Sequence, residues 1–388
     1  MYSKKIAVVH SSLNPCGGAE FLALKLCKAL REEHFHTGLV VLERTHWDKV
    51  RRIFGEDKVV NEEFIVPPFR QFPTIYSSLI HHVLRDIIFM PSIKNKFFYD
   101  LVIVTYPLAP LCFSADIIYM HFPYFAPGLL EKYHPKYAKG LGGLYVIPYK
   151  TLYSELIKAF KRLEKKPILL TNSNFSKKII EKVLCFSPMV VYPPVDIAKY
   201  LPLSRNRRRK NYIVVISRIE EAKNLNVIPE IAKRVKEGKF LILGSLNSKS
   251  YMRRLYLSIK SFGVNDRVLL LPNASEQVKI KLLNEAKAYL HTMKHEHFGI
   301  AVVEAMSAGL VPIVHRSGGP WIDILDRKQG MYGFAFNDNE EASTLLQDML
   351  SNEGLRREVS LRAIRRAVLF NSRRFCSEIM AIVKRVLE

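Results

Sequence analysis

The sequence predicts an α/β protein made of two domains, each a parallel sheet flanked by helices. Three stretches carry that prediction. Tyr289 to Leu325, YLHTMKHEHFGIAVVEAMSAGLVPIVHRSGGPWIDIL, runs strand, loop and helix twice over. Ile6 to Leu42 does so once, through the glycine-bearing turn SSLNPCGGAE. Between them, Leu201 to Lys210 carries Arg205, Arg207, Arg208, Arg209 and Lys210, and reads as a polar connector at the domain boundary. The 388 residues, 48% of them hydrophobic, suffice for two ordinary cores.

Taken in order, Ile6 to His10 is the first strand, Phe21 to Leu30 an amphipathic helix, and Gly38 to Leu42 the next strand. Gly17 and Gly18 in the intervening turn let the backbone approach a neighbour closely. Without G-x-G-x-x-G, the turn is a weak dinucleotide signal. Residues 64 to 99, with Pro67, Pro68, Pro73 and Pro91, read as loops and short helices. Asp100 to Thr105 and Ile117 to Met120 are strands, and His121 follows the second at its carboxyl end. A lone histidine there is more often structural than functional. Leu144 to Tyr153 is apolar and aromatic. Ser154 to Lys166 is a helix with Leu156, Ile157, Phe160 and Leu163 on one face and Lys158, Lys161, Arg162, Lys165 and Lys166 on the rest. It reads either as an ordinary packed helix or as a surface for anionic lipid. Ile168 to Thr171, Ser176 to Leu184 and Val190 to Tyr192 complete the first domain.

Tyr212 to Ile216 opens the second domain, followed by Arg218 and Lys223 near a helix start. An Arg can fork two phosphate oxygens and a Lys adds a point charge, so the pair suits a diphosphate. Phe240 to Leu243 and Val268 to Leu271 are further strands. In the central stretch, Gly309 stands where a helix end takes a left-handed residue, and Pro320 fits a first helical position. The loops at 294–299 and 317–319 sit at the carboxyl ends of parallel strands, where open α/β sheets bind ligands. Helix starts near Gly299 and Gly319 would offer N–H groups to an anion. Glu296 and Glu304 frame that crevice eight positions apart, about 12 Å if the span is helical. Each could accept from vicinal hydroxyls, one pair on a sugar and one on a ribose. Singly, each reads as a solvated charge; with both loops and the glycines, the binding reading is favoured.

Composition narrows the partners. Lys plus Arg number 59 against 36 Asp plus Glu, a net charge of +23 that favours a nucleotide, a membrane surface or a nucleic acid. The five scattered cysteines suggest reduced thiols, not a disulfide framework or zinc site. The apolar run in MYSKKIAVVHSS is too short for a secretory signal, and Leu101 to Met120 is interrupted by Pro107, Pro110 and Asp116. A cytoplasmic protein without a spanning helix is expected. No Asp-x-Asp and no P-loop motif occurs. A polyanion- or nucleic-acid-binding protein is the rival class, but its basic clusters, 205–210 and 356–374, lack interleaved aromatics.

The span Glu296 to Glu304 matches the Glu-x7-Glu motif of family 4 retaining glycosyltransferases. EHFGIAVVEAMSAGLVPIVHRSGGPWIDI resembles most the GDP-mannose-dependent α-1,2-mannosyltransferases that extend dolichol-linked oligosaccharides. The resemblance implies a GT-B fold: two Rossmann-like domains facing each other across a cleft, at 1–200 and 201–370, with 371–388 returning as a C-terminal helix to the first. It implies catalytic roles for His121, Arg218, Lys223 and Glu296. It implies donor contacts by Gly17, Gly18, Arg218, Lys223, Glu296, Phe298, Gly299, Ile300 and Glu304. Residues 272 to 275 would pass the nucleobase. Asp323 stands where this branch also has Asp. The expected activity is a metal-independent transfer of mannose from GDP-mannose to a lipid-linked glycan, with retention of configuration. The enzyme would be peripheral on the cytosolic face of a membrane and need no cofactor; a UDP-sugar donor is the alternative.

Overall fold

The computed structural model describes residues 4–65, 98–105, 115–123, 126, 129, 151, 154, 155 and 157–388. Pro67, Pro68, Pro73, Pro91 and the apolar run at 144–153, Thr151 excepted, lie outside the described residues. The chain divides into two units, Met1–Pro194 with Arg373–Glu388, and Val195–Ser372.

The first unit holds β1 (Lys5–Val9), β2 (His36–Val41), β3 (Glu62–Ile65), β4 (Leu101–Val104), β5 (Ile117–Met120), β6 (Ile168–Thr171) and β7 (Met189–Val190). They pair in parallel in the order β3-β2-β1-β4-β5-β6-β7. The second unit holds β8 (Lys210–Ile216), β9 (Lys239–Gly244), β10 (Val268–Pro272), β11 (Ala286–His291), β12 (Val311–His315) and β13 (Phe334–Phe336), also parallel, in the order β10-β9-β8-β11-β12-β13. Central strands such as LVIV of β4 and IIYM of β5 are buried throughout, as strands covered on both faces must be. Strand order reverses between β1 and β4 in one sheet and between β8 and β11 in the other. Each reversal opens a crevice at the strands' carboxyl ends.

Helix Ser372–Leu387 joins the first unit, as expected. Its Phe375, Ile379 and Val383 pack in one cluster with Ile6 and Val8 of β1, and the Phe375 ring lies 6.4 Å from Tyr119.

The boundary falls after Pro194, not after residue 200, and in the connector at 201–210 Arg205, Arg207, Arg208 and Lys210 are exposed while Arg209 turns inward. Ile197–Tyr200 and Leu201–Arg205 form short helices on the second unit. The Tyr200 hydroxyl donates to Glu276 at 2.8 Å. Arg209 donates to the carbonyls of Leu203, Leu283, Ala286 and Ala308. That arginine staples the connector to the unit, and its burial pushes it down to about 10.

The basic helix expected from 154 to 166 is helical at 157–162. Phe160 is buried in the first unit's core, with Ile157 and Leu163 packed against it. Lys158, Lys161, Arg162 and Lys165 are exposed. Its apolar side is therefore spent on the protein, and the cations face outward together with Glu155, which pairs with Lys158 at 2.6 Å, and Glu164.

Candidate active site

The carboxyl edge of the second sheet is built by main chain pressed on main chain. Gly318 and Gly319 lie against the loop His295–Phe298. A Cβ on Gly318 would stand 2.3 Å from the Glu296 carbonyl oxygen, and one on Gly319 2.2 Å from that of His297. The Gly319 N–H donates to the Glu296 carbonyl at 2.7 Å. Ser317 Oγ accepts from the His295 N–H at 2.9 Å, leaving its proton for His315 Nδ1 at 2.8 Å. Burial first, then the nearby Lys294 and His295, pushes His315 down to about 4. On the other side Gly244, at φ 153°, lets β9 pass within a Cβ's reach of the Ser217 carbonyl and so seats the loop bearing Arg218.

Into this frame come Lys223 and Glu296. Lys223 ends a 3-10 turn, Glu221–Lys223, and its carbonyl accepts from buried Thr292 Oγ1 at 2.8 Å. Its Nζ lies 2.6 Å from Glu296 Oε2, with both side chains under 15% exposed. His291 Nε2 lies 3.5 Å from the same oxygen, and Glu296 Oε1 accepts from the His297 N–H at 3.1 Å. Burial alone would raise the Glu296 carboxyl. Lys223 foremost, then His291 and His297, holds it well below the usual carboxylate range.

Glu304, on helix Ile300–Ser307, is partly exposed, with Oε2 2.8 Å from Lys279 Nζ. Lys279 also donates to the Tyr200 hydroxyl at 2.8 Å. The Tyr289 hydroxyl donates to the Ile216 carbonyl, and burial first, then the charges of Glu304 and Glu296, raises its pKa. Arg218, 57% exposed in its side chain, pairs with Glu220 at 3.0 Å.

Several expectations change here. The helix begins at Ile300 behind a left-handed Gly299 at φ 99°, so only the end of the Glu296–Glu304 span is helical and the 12 Å helical rise does not apply. Pro320–Ile324 is a five-residue π-helical turn, and the N–H of Gly319 just before it is spent on the Glu296 carbonyl. Phe298 is 3% exposed and stacks edge-on to Phe370 at 5.4 Å, so its side chain is core. Ile300 is the first residue of its helix and partly exposed. Asp323 is buried at 2% exposure within the π-turn.

The first unit has its own cluster at the β1/β4 reversal. Gly17 precedes helix Gly18–Glu32, and both glycines are exposed. The left-handed residue of that turn is Cys16 at φ 54°, while Gly17 has φ −98°. The Gly17 N–H donates to Glu20 Oε2 at 2.7 Å. Glu20 Oε1 lies 3.7 Å from Nε2 of fully buried His10, whose Nδ1 is 2.9 Å from Thr105 Oγ1. His121 follows β5 as expected, with its ring 5.1 Å from that of Tyr119. Burial, and then His10, pushes it down to about 4.

The structure thus gathers Lys223 and Glu296 directly and pairs Glu304 with Lys279. Arg218 stands on the adjoining loop, while His121, Gly17 and Gly18 belong to the first unit. Sequence reasoning missed His10, Lys279, His291 and Thr292. His10 and His291 each end or follow a strand, the same signal that singled out His121.

Residues 199–366 match the family described as glycosyl transferases group 1. The chain is 26% identical over 255 residues to the GDP-Man:Man(3)GlcNAc(2)-PP-Dol alpha-1,2-mannosyltransferase of Neurospora crassa, a match covering 55% of this chain and 46% of that protein. It is 25% identical over 375 residues to an alpha-1,3/1,6-mannosyltransferase of Schizosaccharomyces pombe, covering 84% of this chain and 70% of the relative. The chain therefore spans less than half the length of the first of these relatives. Among solved structures, the sucrose-phosphate synthase of Thermosynechococcus elongatus superposes with a TM-score of 0.75 at 14% identity over 99% of each chain. WaaG, a glycosyltransferase of lipopolysaccharide biosynthesis, does so at 0.72 and 15% identity over 97% of this chain and 99% of that one. These likenesses are of fold. The chain thus has the GT-B fold, and the part of it that matches the group 1 glycosyl transferases is residues 199–366, most of the second unit.

Proposed function

We propose that the protein is a retaining, metal-independent mannosyltransferase that takes mannose from GDP-mannose and passes it to a lipid-linked glycan on the cytosolic face of an anionic membrane. The observation that carries this is the Lys223–Glu296 pair at the β8/β11 reversal, inside the segment shared with the family and with relatives named for GDP-mannose and a dolichol-linked acceptor. In this reading, the donor diphosphate meets Lys223 and Arg218, whose charges stabilise the leaving group as it gains negative charge. Glu296 keeps lone pairs for sugar hydroxyls, since its contacts with Lys223 and the His297 N–H leave acceptor capacity on both oxygens. Glu304 accepts from the ribose through the oxygen that Lys279 does not hold. His121, kept neutral, both donates and accepts hydrogen bonds toward the donor sugar. The acceptor hydroxyl attacks the face the diphosphate leaves, and the departing phosphate takes its proton.

Two cations already serve the diphosphate, so no divalent ion is required. Calorimetry with GDP and UDP, with and without EDTA, tests the donor: GDP binds more tightly, and EDTA changes nothing. A strict magnesium requirement overturns the metal claim, and a UDP preference overturns the mannose claim. Among the described residues no helix is long and apolar enough to cross a membrane. Exposed Lys158, Lys161, Arg162 and Lys165 supply electrostatic adhesion instead, at about 1 kcal/mol per cation. Co-sedimentation with anionic vesicles, weakening as salt rises, tests that.

A further inference from the structure

We propose that Lys279 and Tyr200 are positioning residues for the nucleotide's ribose: Lys279 holds one oxygen of Glu304 so that the other is turned to the ribose hydroxyls, and the Tyr200 hydroxyl holds Lys279. The ribose role of Glu304 rests on the function proposed above; the contacts of Lys279 and Tyr200 do not.

Three elements of the second unit meet at these side chains. Tyr200 ends helix Ile197–Tyr200, Lys279 stands one turn into helix Glu276–Glu285, and Glu304 lies within helix Ile300–Ser307. Lys279 Nζ is 2.8 Å from Glu304 Oε2 and donates to the Tyr200 hydroxyl at 2.8 Å. The hydroxyl spends its one proton on Glu276 Oε1 at 2.8 Å, an oxygen that Lys199 Nζ also reaches at 2.9 Å. With that proton committed, the hydroxyl can only accept from the ammonium. Burial first, then Glu304 and Glu276, raises the Tyr200 pKa, so the proton stays on the oxygen. The Lys279 ammonium also lies 4.9 Å from the Tyr200 ring centroid. Tyr200 is 2% exposed, so the ring that seats the ammonium is itself fixed by packing.

The choice of partner is informative. Glu276 is on the same helix as Lys279, three positions back, where an ordinary surface pair would form. Its Oε1 stands 3.8 Å from Lys279 Nζ, and the closer bonds of that oxygen go to Tyr200 and Lys199. Lys279 crosses to Glu304 instead, and the two side chains are only 17% and 15% exposed. A charge-assisted bond to one oxygen sets the carboxylate plane and with it the direction of the other oxygen. Lys279 also offsets the charge that Glu304 would otherwise bring next to an anionic nucleotide.

Calorimetric titration of the full chain with GDP and with 2′,3′-dideoxy-GDP tests the proposal. The ratio of the two dissociation constants isolates the ribose hydroxyls, because a general loss of positive charge weakens both nucleotides alike. Wild type binds the dideoxy compound on the order of tenfold more weakly, as expected for hydrogen bonds to a charged acceptor. Lys279→Met lowers that ratio to about twofold, and Tyr200→Phe lowers it to about fourfold. Lys279→Arg, which keeps a cation within reach of Glu304, retains most of it. A ratio in Lys279→Met equal to that of wild type overturns the proposal, even in a less stable variant, since a bridge that only supports the fold leaves the ratio alone. A wild type indifferent to the ribose hydroxyls overturns it as well. Should Lys279→Met fail to fold, Tyr200→Phe, which removes a single oxygen, decides alone. UDP and its dideoxy form are titrated in parallel. A preference for UDP, with the ratio lost in the variants, overturns the guanosine reading and keeps this one. Tight GDP binding with unchanged ratios does the reverse, and binding of neither nucleotide overturns both.

Discussion

At the carboxyl edge of the first sheet, Glu20 reaches Gly17 and His10 with side-chain oxygens. At the carboxyl edge of the second, Gly318 and Gly319 press their backbone onto that of residues 295–298. Both edges hold a buried carboxylate against a histidine, Glu20 with His10 and Glu296 with His291. Glu296 has Lys223 in addition, at 2.6 Å. The first edge can be retuned by one rotamer. The second is fixed by main-chain contact and by a close ion pair, as a site that must meet a diphosphate in one geometry requires.

The sharpest way to break this contrast is Gly319→Ala. The new methyl would stand 2.2 Å from the His297 carbonyl oxygen and 2.7 Å from Phe298 Cα, so the loop carrying Glu296 must move. Because a shift of an ångström costs on the order of 10²-fold and Glu296 and Lys223 move together, transfer should fall by more than about 10³-fold. Initial rates with GDP-mannose check this. A variant with half of wild-type activity would show that the clamp is dispensable.

Lys223→Ala comes next. It removes a diphosphate cation and strands a buried carboxylate. The expected loss is about 10²-fold in turnover and about 3–5 kcal/mol in stability, read by urea unfolding. The pH dependence follows from sign. Lys223 foremost holds Glu296 well below the ordinary carboxylate value of 4.5, so its contribution to stability is complete above that value and is lost as pH falls through the lower folded one. The stability gap between wild type and Lys223→Ala should therefore close as pH drops below about 4.5. A gap independent of pH would mean that Lys223 acts by packing alone.

Glu304→Ala is milder. A ribose contact persists from ground state to transition state, so KM should rise about tenfold with kcat near wild type. Removing Glu304 also leaves Lys279 without its nearest carboxylate, although Glu276 remains 3.8 Å away. Glu304→Gln, which still accepts a hydrogen bond, should recover part of the loss. A fall in kcat at constant KM would assign Glu304 to the chemistry instead.

The second edge was the more legible in sequence because its parts are local. Glu296, Glu304, Ser317, Gly318 and Gly319 fall within two dozen positions, and two strand–loop–helix repeats announce the sheet edge that gathers them. Arg218 and Lys223 were legible from their place behind β8. What local spacing cannot show is pairing across strands. His10 and Thr105 are 95 positions apart and meet only because β1 and β4 are neighbours. Lys279 meets Glu304 across two helices whose relative rotation no periodicity specifies. Phe298 entered as a donor contact through the family resemblance alone, and its ring lies edge-on to Phe370. The connector keeps Arg205, Arg207, Arg208 and Lys210 exposed, as its polar composition suggests. Arg209 is the exception that shows why charge alone misleads: four carbonyls at the ends of surrounding elements need a donor, and a guanidinium has five N–H groups to give.

The smallest effect is expected at Gly17→Ala, and it sharpens the comparison most. In sequence, Gly17-Gly18 and Gly318-Gly319 are alike, each following a strand and opening a helical turn. In structure, Gly17 has φ −98°, which any residue adopts, and the left-handed position beside it belongs to Cys16. A Cβ at Gly17 would meet a single close atom, Glu20 Oε2 at 2.8 Å, the far end of a flexible side chain. A small rotation of that carboxylate relieves the contact at the cost of a weaker bond to the Gly17 N–H, itself at an exposed helix start where water can replace it. Stability should therefore change by no more than about 0.5 kcal/mol in thermal unfolding, and transfer by no more than about threefold. A loss comparable to that of Gly319→Ala would mean that a ligand approaches the Gly17 backbone closely, and that the first edge, like the second, is set by main chain.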